Sequence, residues 1–136
     1  MTPYAHKVQY YETDKMGITH HSNYIRFCEE ARVDFMEQLG YGYDRMEAEG
    51  VGSPVVSVKC DYKKSTSFPD IIEISVQVLD LTSVKLTLGY TMTVEGKIVC
   101  TAESSHCFLD SGTGRIIRID KKLPEFFARL QALALT

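Results

Sequence analysis

The sequence carries no excess of basic residues. Its 15 Lys and Arg stand against 18 Asp and Glu, a net charge of −3, which leaves no electrostatic footprint for a nucleic-acid partner. No run approaches the roughly 20 apolar residues of a membrane-spanning helix. The N-terminus has no basic segment followed by an apolar block, so neither an integral membrane segment nor a secretory leader is expected. A GxSxG elbow, a GxGxxG turn and a GxxxxGK[ST] loop are all missing, which argues against a serine hydrolase of the elbow type and against dinucleotide or P-loop chemistry. Cys28, Cys60, Cys100 and Cys107 are widely spaced and form no CxxC pair. Reduced, buried thiols in a cytoplasmic protein are therefore expected, with Cys28 as a core residue. His20 and His21 are adjacent, but His6 and His106 are distant and neither HxxxH nor HExxH spacing occurs. No metal site is expected.

What is present reads as one domain over residues 1–136, with 44% apolar and 24% charged residues, ordinary values for a chain able to bury a single core. Residues His6 to Tyr11 alternate as a first strand, and Glu12 to His20 follow as a loop. Tyr24, Phe27, Cys28, Ala31, Phe35 and Leu39 then recur at helical spacing. Ser22 is the expected N-cap of that helix and Gly40 its stop. Arg26, Glu30, Asp34 and Glu37 make its solvated face. A short helix over Tyr43 to Glu49 is next. After it the period drops to two: Pro54 to Tyr62, Ile72 to Val78, Val84 to Val94 and Lys97 to Leu109 read as strands, with Glu95-Gly96 as a tight hairpin turn. Asp110 to Gly114 reads as a turn, Arg115 to Ile119 as a last short strand, and Pro124 opens a closing helix. One long amphipathic helix and a sheet with one apolar face give an α+β fold, a curved antiparallel sheet wrapped around the helix. Its open edges make self-association through strand pairing an expectation.

Chemistry concentrates between the first strand and the long helix. Asp14 can be a turn aspartate bonding its own backbone. It can equally be a carboxylate beside a helix N-terminus, where free amides gather and a developing oxyanion could be held. His21 is a polar loop residue or part of that same site. Lys63-Lys64, Arg115, Arg118 and Lys121-Lys122 read first as scattered surface charge, and they could also bind the phosphates of a ligand.

The stretch Tyr11-x-Thr13-Asp14-x-x-Gly17-Ile18-x-x-His21-x-Asn23-Tyr24-x-x-Phe27-x-Glu29-x-Ala31-Arg32 resembles the signature of the 4-hydroxybenzoyl-CoA thioesterase family, and most closely its acyl-CoA branch that includes the Tol-Pal-associated enzyme. The resemblance covers nearly the whole chain and implies a hotdog fold and a thioester hydrolase without metal or organic cofactor. It places the family's nucleophile or general base on Asp14 and its oxyanion amide and imidazole on His21. Gly17, Ser22, Asn23 and Tyr24 fall on positions that shape the pocket and helix start. Lys59, Lys85 and Arg115 are the basic residues offered to the phosphates of coenzyme A. The resemblance also implies a substrate bound between subunits of a homo-oligomer, commonly a tetramer built as a dimer of dimers. His20 occupies a position that is usually aromatic in this branch. Two other readings stay open: a hydratase or dehydratase acting on an acyl thioester, and a non-catalytic module that binds acyl-CoA.

Overall fold

The computed structural model describes residues 1–134; the last two residues of the expected 1–136 domain lie outside the described set. In chain order the elements are β1 (Tyr4–Lys7), a 3-10 turn (Tyr10–Glu12), α1 (Asn23–Gln38), α2 (Tyr43–Ala48), β2 (Val51–Gly52), β3 (Val55–Tyr62), β4 (Ile71–Leu81), β5 (Lys85–Val94), β6 (Lys97–Cys107), β7 (Leu109–Asp110), α3 (Ile119–Lys122) and α4 (Pro124–Ala134). Five strands form one antiparallel sheet in the order β1-β4-β5-β6-β3, and β2 pairs separately with β7.

α1 forms where it was expected because its apolar residues share one stripe. Tyr24, Phe27, Cys28, Ala31, Phe35 and Met36 are all buried. They meet the inward face of the sheet, where Ile72 and Ile74 of β4, Leu86, Leu88, Tyr90 and Met92 of β5, and Cys100 and Ala102 of β6 are also buried. Each of the larger ones, Leu, Ile, Met or Phe, contributes about 1.5–3 kcal/mol by leaving water. This is the expected α+β arrangement, a sheet folded onto one long helix. The β5–β6 hairpin turns at Glu95 and Gly96, both with positive φ (51° and 79°), as a two-residue turn of primed type requires.

Three local expectations fail for identifiable reasons. The first strand ends at Lys7 rather than Tyr11, because the Glu12 side chain reaches back 2.7 Å to the Gln9 amide and coils Tyr10–Glu12 into a 3-10 turn. No strand covers Arg115 to Ile119: Ile116 makes a single bridge to Leu109, and Ile119 begins α3. The helix face expected to be solvated is partly engaged. Glu30 accepts from Tyr4 Oη at 2.7 Å and faces His6 Nδ1 at 3.0 Å. That bond to Glu30, with burial, pushes the Tyr4 hydroxyl up to about 12.

The two outer strands differ. β1 is tied to α1 through the Tyr4–Glu30 and His6–Glu30 contacts. β3 is an open edge of eight residues with Val55, Val56, Val58 and Tyr62 exposed.

Candidate active site

The loop from Glu12 to Ser22 is built by its own backbone. Thr13 bridges Thr19, the Asp14 amide donates to the Ile18 carbonyl (2.9 Å), and the Gly17 amide donates to the Asp14 carbonyl (2.9 Å). Gly17 sits at φ +79°, which only glycine adopts without strain. The Asp14 Oδ1 atom accepts from the Met16 amide at 2.8 Å, so the aspartate does close its own turn. Its Oδ2 atom has no hydrogen-bond partner among the described residues.

Two further ties fix where the loop meets α1. Asn23 Nδ2 donates to the Glu12 carbonyl (3.0 Å), and the His20 amide donates to the same oxygen (2.8 Å). Glu12 is itself buried, its carboxylate held by the Gln9 amide and by His6 Nε2 at 2.9 Å. Ser22 holds the N-cap position, as expected, but does not cap the helix with its side chain. Its backbone is already helical (φ −61°, ψ −25°) and its hydroxyl makes no capping bond. The hydroxyl instead lies 2.8 Å from His20 Nδ1, which also accepts from the Ser22 amide at 3.2 Å. The His20 imidazole thus occupies one amide of the first turn, and the His21 amide is left without a partner among the described residues. The two imidazoles stack, with ring centroids 4.3 Å apart.

Asp14, Met16, Ile18, Thr19, His21, Tyr24, Tyr62, Lys63, Lys64 and Ser65 line one cleft of about 350 Å³. Tyr24 makes its floor, buried, with its hydroxyl 2.8 Å from Thr66 Oγ1, which in turn lies 2.6 Å from Thr19 Oγ1. Burial pushes the Tyr24 hydroxyl above its ordinary range. Tyr62 makes a wall: it donates to the His21 carbonyl at 3.2 Å, and its ring meets Tyr24 edge-on at 5.2 Å. Asp14, His21 and two lysines therefore line one concavity beside the start of α1. That combination suits an electrophilic carbonyl on an anionic carrier.

Of the residues singled out from sequence, Asp14, His21 and Tyr24 line this cleft, and Gly17, Ser22 and Asn23 shape the loop and helix start beside it. Lys59, Lys85 and Arg115 do not line it. Lys59 pairs with Asp61 (3.6 Å) in β3, Lys85 opens β5, and Arg115 sits in the exposed turn after β7. Tyr62 is a cleft residue that sequence reasoning missed, while Lys63 and Lys64 are among the basic residues that could bind phosphates and are here given a place. The signal for Tyr62 was position alone, the last residue of an alternating strand with two lysines directly after it.

Comparison with known proteins identifies the family and the fold. The profile of the thioesterase-like superfamily matches residues 8–129. Among solved structures, a hypothetical protein TT1821 from Thermus thermophilus is 32% identical, covers 98% of this chain and 99% of its own, and superposes with a TM-score of 0.90. A DHNA-CoA thioesterase from Staphylococcus aureus is 31% identical over 97% of this chain and 91% of its own, also with a TM-score of 0.90. The long-chain acyl-CoA thioesterase FadM of Escherichia coli is 26% identical over 88% of this chain and 91% of its own. By profile, sequence and hotdog fold alike, the chain belongs to the thioesterase-like superfamily.

Proposed function

We propose that this protein hydrolyses an acyl- or aroyl-CoA thioester to the free acid and coenzyme A. One observation carries the reading: Asp14 and His21 line the same cleft at the N-terminal end of α1, and the Asp14 Oδ2 atom and the His21 amide both lack a partner among the described residues. In this scheme the thioester oxygen lies at the His21 amide, where an N–H and the helix dipole stabilise the charge that develops. Asp14, through the oxygen its turn does not use, attacks the carbonyl carbon or takes a proton from the attacking water. The thiolate leaves without strong acid assistance, because a thiol of pKa about 8.5 is a good leaving group.

Lys63 and Lys64 take the phosphates of coenzyme A, in place of Lys59, Lys85 and Arg115. Coenzyme A enters as part of the substrate, and the scheme requires no resident cofactor. The relatives' names support the thioester class, and they bracket the acyl group between long aliphatic chains and an aromatic acid. The open edge of β3 supports pairing with a second copy, and so a homo-oligomer. A dimer of dimers in the cytoplasm is the arrangement we favour.

A panel of acyl-CoA thioesters with thiol detection tests this, run on the parent, Asp14→Asn and Asp14→Ala. Thiol release should fall by about 100-fold or more in both variants. Full activity in both would remove Asp14 from the mechanism. Hydration of crotonyl-CoA without thiol release would make the protein a hydratase, and binding without turnover would make it a carrier module.

A further inference from the structure

Three ionisable side chains, one each from β1, the 3-10 turn and α1, meet behind the cleft loop, and the hydrolytic scheme uses none of them. His6 places Nε2 2.9 Å from Glu12 Oε1 and Nδ1 3.0 Å from Glu30 Oε1. The His6 and Glu12 side chains are 10% and 7% exposed, and Glu30 is 38% exposed. Each carboxylate also takes a second donor at 2.7 Å, the Gln9 amide for Glu12 and the Tyr4 hydroxyl for Glu30. The His6 ring lies against Phe27, with centroids 4.1 Å apart, so it is packed as well as bonded. Glu12 joins this cluster to the cleft. Its carbonyl accepts from the His20 amide (2.8 Å) and from Asn23 Nδ2 (3.0 Å). The Asn23 amide in turn donates to the His20 carbonyl (3.0 Å), which belongs to the peptide group that carries the His21 amide.

We propose that His6 is a positioning residue for the cleft, held as an imidazolium between Glu12 and Glu30, and that it fixes, through Glu12, the loop bearing Asp14 and the peptide bearing the His21 amide. What is positioned rests on the hydrolytic reading; the clamp itself does not. A carboxylate can only accept, and a neutral imidazole donates through one nitrogen alone. Both ring nitrogens of His6 face carboxylate oxygens, so both contacts are hydrogen bonds only when both nitrogens carry a proton. His6 is also the only ion-pair partner of either carboxylate among the described residues.

A carboxylate buried as deeply as Glu12 is costly to keep without a positive partner. Removing His6 therefore drives Glu12 toward water and loosens the turn whose carbonyl holds the His20 amide and Asn23. Asp14 lies two residues beyond Glu12, and the His21 amide is one residue beyond the His20 amide. A displacement of about 1 Å in groups that must meet one carbonyl carbon costs up to ~100-fold in rate. The loss falls on kcat, because these groups act on the reacting carbonyl while the carrier's phosphates are held by Lys63 and Lys64 in the proposed scheme.

Two arms of the test need no turnover. Nitrogen NMR of the full-length protein with isotope-labelled histidine, at neutral pH, should show a proton on both ring nitrogens of His6, and those signals should vanish in His6→Gln. Hydrogen exchange at the His20 amide should be at least ~10-fold faster in His6→Phe than in the parent; if His6→Phe does not fold, His6→Gln serves in its place. In the third arm, thiol release from acyl-CoA thioesters, both variants should lose about 10-fold or more in kcat per folded molecule, with KM changed by less than ~2-fold. A His6 ring with a single proton overturns the proposal, as does unchanged exchange at the His20 amide. So does a kcat retained per folded molecule beside a lowered melting midpoint, since that is a purely structural role. If the parent releases no thiol while the first two arms come out as expected, the hydrolytic reading falls and the clamp on the loop stands.

Discussion

At its C-terminal end α1 closes in a complete Schellman motif. The Tyr41 amide reaches the Met36 carbonyl (3.0 Å) and the Gly40 amide the Glu37 carbonyl (3.0 Å), with Gly40 at φ +81°. Arg129 of α4 donates to the Leu39 carbonyl, Arg45 donates to the Gly40 carbonyl at 2.9 Å, and Arg45 stacks 3.8 Å above the Tyr41 ring. At the N-terminal end the serine cap is missing, one amide is held by an exposed imidazole, and the His21 amide is unused. One helix thus spends the polar groups of one end on its own fold and leaves those of the other at the mouth of a cleft. The unmatched end is where a ligand gains most by binding, because the helix has already oriented the donor.

Phe27 breaks the comparison outright, since it anchors the stripe that serves both ends. It is fully buried, with the His6 ring 4.1 Å and the Tyr24 ring 5.4 Å from its own. Phe27→Ala should cost about 3–5 kcal/mol. In thermal denaturation that is a drop of ~10 °C or more, with stability and thiol release lost together. An activity loss without a stability loss would mean that the two ends are not mechanically joined.

A pH experiment separates the ends from the middle. From Arg32, midway along α1, a buried chain runs to the Tyr90 hydroxyl (3.1 Å), on to Ser104 Oγ (2.6 Å) and then to His106 Nε2 (2.7 Å). His106 Nδ1 has no hydrogen-bond partner among the described residues. Burial, then the nearby Arg32 charge, pushes the imidazole down to about 4. The unfolded chain takes up this proton near pH 6.5 and the folded chain resists it. Folded-state stability is therefore full above pH 6.5 and falls as the pH drops from there toward 4, by up to ~3 kcal/mol. His106→Gln should flatten urea-denaturation midpoints across that window, and an unchanged slope would assign the acid sensitivity elsewhere.

The capped end itself is tested by Arg129→Ala. Removing the guanidinium strips a donor from the Leu39 carbonyl and the 2.5 Å bond to Glu125. A loss of about 1–2 kcal/mol is expected, with thiol release per folded molecule unchanged. A large activity loss here would erase the distinction between a structural and a functional end.

What could be read in advance follows the same division. α1, its stop at Gly40, the Glu95-Gly96 hairpin and strands β3 to β6 were legible because each rests on local periodicity or on one residue's conformational freedom. Residues Val8 to Tyr11 misled because alternation carries no trace of the Glu12 side chain folding back to the Gln9 amide. Ser22 misled because its hydroxyl had a second suitor, His20, two residues away. Asp14, His21 and Tyr24 could be grouped because they lie within one loop and one helical turn. The Tyr62-Lys63-Lys64 wall could not. Their positions depend on β3 being the outer strand beside β6, a long-range pairing that no local pattern encodes.

The smallest expected effect sharpens the functional end most. Lys63 and Lys64 are exposed, and their amides both donate to the Val99 carbonyl (2.8 and 3.0 Å), so the backbone and not the charge holds them at the cleft. The Lys63→Ala, Lys64→Ala double variant should therefore fold with a denaturation midpoint within ~0.5 kcal/mol of the parent. If the two ammonium groups meet the phosphates of coenzyme A, KM should rise several-fold with kcat nearly unchanged. Contacts made equally in ground and transition states behave in that way. The parent's KM should also climb with added salt more steeply than the variant's, since screening removes only what the lysines supply. With a short pantetheine thioester that lacks the phosphates, parent and double variant should be indistinguishable. A KM difference that persists on that truncated substrate would place the lysines against the acyl group or the loop, and the anion would have to be held by some other part of the assembly.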